Sequence, residues 1–244
     1  RGSNTREEDF IEYIYPASMH NNLLFFTQKG LVYKMKVYEL PEGAKNTKGR
    51  AIQNLLNIEP GDTVNAFIRI KNLEDAEFTG SHNLIFATRL GVIKKTSLAE
   101  YARINIKGKK AIVLRDDDRL IGVELTDGNC EILMANRNGR AIRFNESTVR
   151  TMGRVATGVR GMKLDGGNDE VIGMICMHPD DNHNVMVVSE NGYGKRSLLD
   201  DYRITNRGGK GVKTMNVTEK TGTLVAIKSV SDENDLVIIN RSGI

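Results

Sequence analysis

Apolar runs that end in a glycine turn recur along the chain. Each run combines aliphatic or aromatic residues with a closing glycine, a pattern that predicts a β-strand leading into a hairpin. The closing glycines are 61, 48, 53 and 51 residues apart, so the period is about fifty residues. The five predicted strands and their turns cover residues 23–30, 84–91, 131–139, 185–192 and 236–243.

The same succession of features follows each of the first four glycine turns. A second predicted strand comes first, and a second glycine stands 17 to 19 residues after the closing glycine. These second glycines are Gly49, Gly108, Gly158 and Gly211. Third strands are expected at 51–55, 111–114, 161–164 and 212–217. Fourth strands, after an acidic or polar turn, are expected at 64–70, 120–125, 171–177 and 224–230.

Four strands in a repeat of this length are typical of propeller blades. A β-sandwich with unrelated hairpins is the alternative, but five turns and four second glycines in register disfavour it. We therefore predict an all-β fold in which residues 1–244 form one domain, with four complete repeats and a partial repeat at each end. The expected repeats are about 1–20, 21–72, 81–127, 129–179, 183–232 and 233–244.

Composition places the chain among globular proteins of a reducing compartment. No apolar run approaches the length of a membrane-spanning helix, and no leader segment precedes the repeats, so we expect neither a membrane span nor a signal peptide. The chain opens on Arg1 rather than methionine, which indicates an excised fragment. Cys130 and Cys176 stand alone, without metal or redox spacing, which fits the cytosol.

Positive charge is concentrated in one part of each repeat. Four windows run from the closing glycine to just past the second glycine, at 30–50, 91–110, 139–160 and 192–213. They hold 22 of the 35 Lys and Arg but only 6 of the 31 Asp and Glu, which leaves the windows at +16 and the other residues at −12. If every blade is built alike, the windows form a basic band along one edge, which is the electrostatic footprint of a polyanion-binding surface.

Twenty of the 22 cations in these windows are therefore the predicted DNA-binding residues. Lys and Arg on a curved edge neutralise phosphates and release counterions, so the expected affinity is salt-sensitive and independent of sequence. Aromatic residues are too sparse for base stacking, which favours duplex over single-stranded DNA. The predicted residues are Lys34, Lys45, Lys48, Arg50, Lys94, Lys95, Arg103, Lys107, Lys109, Lys110, Arg140, Arg143, Arg154, Arg160, Lys195, Arg196, Arg203, Arg207, Lys210 and Lys213.

Residues 5–56, 138–162 and 193–221 closely resemble the family of C-terminal domains of the DNA gyrase A subunit. That family carries a Gln-Arg-Arg-Gly-Gly-Lys-Gly box in its first blade. The nearest match here is Thr205-Asn206 followed by a box-like motif, and it departs from the family box at its first two positions. The motif consists of Arg207, Gly208, Gly209, Lys210 and Gly211. The box itself would then lie at or just before residue 1.

The resemblance implies a β-pinwheel of six four-stranded blades whose rim wraps duplex DNA. It implies support for negative supercoiling by DNA gyrase, a type IIA topoisomerase. The partners would be the gyrase B subunit, together with the rest of the gyrase A subunit, in an A2B2 complex. The setting would be the bacterial cytoplasm at the nucleoid, with no membrane contact. The catalytic tyrosine, ATP and magnesium would belong to other parts of that enzyme, so we expect no catalytic residue and no cofactor in this fragment.

Other functions fit parts of the pattern. The related domain of the topoisomerase IV A subunit is one alternative, and a scaffold for an acidic protein partner is another. A propeller enzyme with an axial pocket is a third, but acids and histidines do not cluster at matching repeat positions. The segment 178–183, HPDDNH, contains possible metal ligands, but its Pro-Asp turn favours a polar loop.

Overall fold

A computed structural model describes residues 17–44, 47–71 and 73–234, which form fifteen β-strands and one short α-helix. Most of the expected partial repeats, at 1–16 and 235–244, lies outside the described residues. The strands are β1 Asn22–Thr27, β2 Leu31–Lys36, β3 Val64–Ile70, β4 Asn83–Thr88, β5 Val92–Ser97, β6 Lys109–Lys110, β7 Leu120–Thr126, β8 Glu131–Asn136, β9 Arg140–Asn145, β10 Val159–Arg160, β11 Val171–Met177, β12 Asn184–Ser189, β13 Gly194–Leu198, β14 Val212–Lys213 and β15 Leu224–Val230.

The strands form four antiparallel sheets. Three sheets have four strands, in the orders β3-β1-β2-β6, β7-β4-β5-β10 and β11-β8-β9-β14. The fourth has three described strands in the order β15-β12-β13. Each sheet is built on a predicted hairpin, such as the pairing of Leu24 with Lys34 across β1 and β2. The predicted all-β fold with four-stranded blades is confirmed.

The outer strand of each four-stranded sheet belongs to the next repeat along the chain. Thus β6 pairs with β2 of the preceding repeat, β10 with β5, and β14 with β9. The sequence pattern indicated four strands in one repeat, but a blade draws its fourth strand from its neighbour. The outer strands are also only two residues long and begin before the predicted third strands at 111–114 and 161–164. In the first described repeat a 3-10 helix, Ile52–Asn54, lies where a third strand was expected.

The hairpin glycines anchor these exchanged strands. The carbonyl of Gly30 accepts hydrogen bonds from the Ala111 and Ile112 amides, at 2.8 and 3.3 Å. The carbonyls of Gly91 and Gly139 accept equivalent pairs of bonds from the next repeat. Each repeat therefore fixes the outer strand of the blade before it, and neighbouring blades share backbone hydrogen bonds as well as side-chain packing.

The hydrophobic core lies between neighbouring sheets. Three successive clusters contain Phe86, Phe144 and Tyr202 respectively, and each combines residues of two adjacent blades. Strands β4 and β8 are consequently buried on both faces. Strand β12 alternates, with Val185 and Val187 buried but Met186 and Val188 only partly buried. Only one face of β12 is packed within the described part of the chain.

The strands β3, β7, β11 and β15 line an axial channel of about 620 Å³. One edge strand of every sheet therefore faces the axis, while β6, β10 and β14 lie at the opposite edge of their sheets. The unpredicted helix α1, Ala76–Ser81, begins where the Asp75 carboxylate accepts bonds from the Glu77 and Phe78 amides. No helix among the described residues is long and apolar enough to cross a membrane.

Candidate nucleic-acid interface

We define the outer edge as the strands β6, β10 and β14 together with the loops that lead into them, 98–108, 146–158 and 199–211. The second residue of each outer strand is a cation, namely Lys110, Arg160 or Lys213, and all three side chains are exposed. These positions occupy the same register, since Lys110 lies opposite Leu31, Arg160 opposite Val92, and Lys213 opposite Arg140. Three successive blades therefore present a cation at the same point of their outer edge.

The remaining predicted DNA-binding residues differ in exposure. Lys45 lies outside the described residues. Eight further side chains are exposed: Lys48, Arg50, Arg103, Lys107, Lys195, Arg196, Arg203 and Lys210. Five are partly buried: Lys34, Lys109, Arg140, Arg154 and Arg207. Three are buried: Lys94, Lys95 and Arg143. Most of these cations are accessible to a phosphate, but the three buried ones are not.

Two of the partly buried arginines hold outer strands in place. Arg154 donates through Nη1 to the backbone carbonyl of Lys110. Arg207, one repeat later, donates through Nη1 to the carbonyl of Arg160 at 2.5 Å and through Nε to that of Thr148 at 3.2 Å. Both arginines stand four residues before a second glycine, so the same sequence position performs the same task in two repeats. Their charge lies at the outer edge while their hydrogen bonds position the exposed cations.

The box-like motif lies at the junction of two blades. The Gly208 amide donates to the Gly161 carbonyl at 2.8 Å, and the Gly209 carbonyl accepts from the Lys163 amide at 2.9 Å. Lys210 forms an ion pair with Asp165 at 3.0 Å. The motif therefore joins its own repeat to the preceding one, in addition to bringing cations to the outer edge.

Lys94 is an interior residue, so its prediction as a DNA contact is wrong. Its Nζ donates to the Ala111 carbonyl at 2.6 Å, to the Tyr101 hydroxyl at 3.3 Å and to the Arg154 carbonyl, and it lies 4.8 Å from the centre of the Phe86 ring. The pKa of Lys94 is lowered to about 7, chiefly by burial and secondly by the nearby Arg154 charge, while Glu100 opposes the shift. Burial raises the pKa of Tyr101, whose protonated hydroxyl donates to Ala111 at 2.8 Å.

Lys95 and Arg143 are likewise corrected to contacts between blades. The Lys95 Nζ donates to the Glu146 carbonyl at 3.0 Å and lies 3.8 Å from the Glu146 carboxylate. Arg143 pairs with Glu131 at 2.5 Å through Nε, and its Nη1 donates to the carbonyls of Leu199 and Tyr202 at 3.0 and 2.9 Å. Both side chains bond to the next repeat, which removes them from the candidate interface.

Some accessible cations in or beside the outer edge were missed from the sequence. Lys163 is exposed, and its amide bonds to Gly209 of the box-like motif. It lies just beyond the third window, so the window boundary excluded it. Arg150, exposed in the loop before β10, lies inside a window but was not selected. Proximity to an outer strand would have identified both residues. That proximity is known only once the pairing of the strands is known.

The axial channel is a weaker candidate site. Its lining consists mainly of β-strand residues, with charge supplied by Arg119, Glu124 and Lys228. Burial raises the pKa of Glu124 to about 7, and the positive charge of Lys228 opposes that rise. With one carboxylate and two cations, the axial channel presents much less positive charge to a polyanion than the outer edge does.

The chain is similar to known proteins along its whole length. A family described as the DNA gyrase C-terminal domain, beta-propeller, matches residues 21–71, 82–127, 131–176 and 183–231. The A subunit of DNA gyrase from Staphylococcus aureus strain NCTC 8325 is 45% identical over all 244 residues. The chain spans 27% of the length of that relative.

Two solved structures share the architecture. The C-terminal domain of DNA topoisomerase IV superposes with a TM-score of 0.75 at 27% identity, over 88% of this chain and 65% of the other. A DNA gyrase A C-terminal domain gives a TM-score of 0.75 at 23% identity, over 95% of this chain and 76% of the other. The second likeness, at this identity, concerns the fold alone.

Proposed function

Because this chain belongs to the family of DNA gyrase C-terminal domains, we propose that its outer edge binds duplex DNA through the phosphate backbone without reading base sequence. The observation that carries this proposal is the exposed cation at one register position of three successive outer strands, Lys110, Arg160 and Lys213. Cations at matched positions on neighbouring blades suit a ligand whose charges repeat along its length.

Wrapping follows from the same arrangement. A duplex that follows a curved edge must bend, at an elastic cost of about 1–6 kcal/mol for 40–90° over a short site. Backbone contacts alone can offset such a cost, as they do when DNA wraps around histones. The exposed cations of the outer edge would supply these contacts, while Arg154 and Arg207 hold the strands that carry them. The proposal also keeps the predicted division of the chain into complete repeats at about 21–72, 81–127, 129–179 and 183–232.

We assign the wider role by the same family membership. The domain would support negative supercoiling by DNA gyrase in an A2B2 complex, with the gyrase B subunit joining the rest of the gyrase A subunit. The enzyme would act in the bacterial cytoplasm at the nucleoid. Strand cleavage and the binding of ATP and magnesium would belong to other parts of the enzyme. A topoisomerase IV domain is the second candidate, supported by 27% identity to that solved structure. The 45% identity to the gyrase A subunit favours gyrase.

A salt titration tests the binding proposal. Three phosphate contacts predict that log K falls with log salt at a slope of about −2.7, or a loss of about fortyfold between roughly 50 and 200 mM. Two duplexes of unrelated sequence should give the same slope. Wrapping is tested by closing nicked circular DNA in the presence of the chain, which should shift the linking number. An affinity that is flat in salt would reject the interface, and an unchanged linking number would reject wrapping alone.

A further inference from the structure

Three side chains of different chemistry converge at one end of the third sheet. The Cys130 Sγ lies 3.6 Å from the His178 Nε2 and 3.7 Å from an Asp127 oxygen. The other Asp127 oxygen lies 3.2 Å from the same His178 nitrogen. Cys130 immediately precedes β8, His178 immediately follows β11, and Asp127 belongs to the link from β7. The cluster therefore joins an inter-blade link to two paired strands.

The separations match those of ligands around a tetrahedral metal ion. Zinc binds sulfur at about 2.3 Å, imidazole nitrogen at about 2.0–2.1 Å and carboxylate oxygen at about 2.0–2.2 Å. At a tetrahedral angle these bond lengths place the ligand atoms about 3.3–3.7 Å apart. The His178 nitrogen lies 3.2 Å from one Asp127 oxygen and 3.6 Å from the Cys130 sulfur, both close to that range. One ligand atom from each of the three residues lies within 4.8 Å of the other two. An ion could therefore enter with small side-chain adjustments.

We propose that Asp127, Cys130 and His178 bind a divalent zinc-type ion. A thiolate and an imidazole select zinc and similar borderline-soft ions over magnesium or calcium. The His178 and Asp127 side chains are 40% and 38% exposed, whereas Cys130 is buried, so the fourth coordination position faces solvent. This site goes beyond the proposed DNA-binding function and does not depend on it.

Backbone contacts hold the three ligands in place. The Cys130 amide donates to the Glu146 carboxylate at 2.8 Å, and the Asn129 amide donates to Asp127 at 3.0 Å. The Asp181 carboxylate accepts from the His178 amide at 3.4 Å. The segment 178–183 is thus a polar turn, as the sequence indicated, but one of its histidines faces ligands from elsewhere in the chain. His183 bonds instead to Ser229.

The bound ion would act as a cross-link between blades. It would tie the link after β7, which belongs to one sheet, to the ends of β8 and β11 in the next. Because metal binding to a folded site stabilises the folded state, zinc should raise the thermal unfolding temperature of the chain.

Cobalt(II) is the probe for the test, since a bound thiolate gives a ligand-to-metal charge-transfer band and tetrahedral cobalt gives intense visible bands. The 244-residue chain, freed of metal and titrated with cobalt, should show both, and zinc should abolish them by displacement. Cys130→Ser should remove the thiolate band, and His178→Asn should weaken binding at least about tenfold, since even outer-sphere partners contribute 10–100-fold.

Matched controls separate this site from casual binding. Cys176→Ser removes the other thiol, and His183→Asn removes the neighbouring imidazole, so both variants should keep the wild-type spectrum and affinity. His178 is partly exposed, so its variant should fold, which circular dichroism would verify. Absence of a thiolate band in the wild-type chain, or an unchanged band in Cys130→Ser, would overturn the proposal.

Discussion

One repeat position shows how residues with the same charge take different roles. Four residues after the closing glycine the chain has Lys34, Lys95, Arg143 and Arg196. Lys95 and Arg143 are buried against the next repeat, while Arg196 is exposed and pairs with Asp232 at 2.9 Å. The sequence identified all four as cations at one repeat position. It could not distinguish buried side chains that contact the next repeat from exposed ones. That distinction depends on whether a neighbouring blade covers the side chain.

Arg143→Leu should therefore destabilise the fold much more than Arg196→Leu. Removing one partner of a buried ion pair costs about 3–5 kcal/mol because the other charge is left unpaired. The Arg143 and Glu131 side chains are 7% and 4% exposed, whereas those of Arg196 and Asp232 are 56% and 83% exposed. An exposed pair contributes about 0–1 kcal/mol. Denaturant unfolding at neutral pH measures both changes.

A double variant provides the control for the buried pair. Adding Glu131→Leu to Arg143→Leu removes the stranded carboxylate and should recover part of the lost unfolding free energy. Equal losses in the two single variants would show that the burial of Arg143 does not govern its role.

Lys94 should make stability depend on pH in a defined direction. Its pKa is lowered to about 7 in the folded chain from an ordinary value of 10.5. Between these values the unfolded chain binds the extra proton, so this residue's contribution to stability grows as pH rises above 7 and is lost as pH falls through 7. The gain is at most about 1.4 kcal/mol per pH unit for one proton.

Comparison with Lys94→Met isolates that contribution from other titrating groups. The unfolding free energy of each chain is measured at pH 7 and at pH 9. The value for the wild type minus the value for Lys94→Met should be larger at pH 9 than at pH 7. A constant difference between the two pH values would mean that Lys94 keeps its ordinary pKa in the fold.

At the scale of elements, the hairpins and inner strands could be predicted, but the outer strands could not. The apolar runs that form β1, β4, β8 and β12 are each followed by a glycine turn, so the local sequence is sufficient to predict these strands. The outer strands β6, β10 and β14 are two residues long and are strands only because another repeat offers an edge. No local periodicity encodes a partner about seventy residues away.

Three of the four second glycines, Gly108, Gly158 and Gly211, lie against the preceding repeat at the exchanged strands, which explains their place in the sequence pattern. Gly158 has a φ of +108°, and a Cβ at this position would lie 2.5 Å from the Ile93 carbonyl and 2.8 Å from Val92. Gly158→Ala should therefore displace β10 from β5, with a larger loss of unfolding free energy than left-handed backbone strain alone, about 1–2 kcal/mol.

Gly192→Ala is the matched control for that strain. Gly192 has a φ of +83°, but no described atom lies within 4 Å of its added Cβ. Chemical denaturation should give a clearly larger loss for Gly158→Ala. Equal losses would mean that close approach to the neighbouring blade adds nothing to the conformational cost.

At the scale of the whole molecule, the separation of charge follows from the arrangement of the sheets. Cation-rich windows lead into the outer strands, whereas the acid-rich remainder includes the turns that lead to the axial strands. Counting charges along the sequence therefore located the candidate interface as a whole. It could not exclude Lys94, Lys95 and Arg143, because their burial arises from packing between blades.

The central claim, that the outer edge binds duplex DNA, is tested most directly by two double variants. Lys110→Ala with Lys213→Ala removes two outer-edge cations, and Arg119→Ala with Lys228→Ala removes two that line the axial channel. The outer-edge variant should bind two unrelated duplexes more weakly to the same extent, with a salt slope smaller by about 2. The channel variant should retain the wild-type slope. An equal loss in both variants, or none in the outer-edge variant, would contradict the claim.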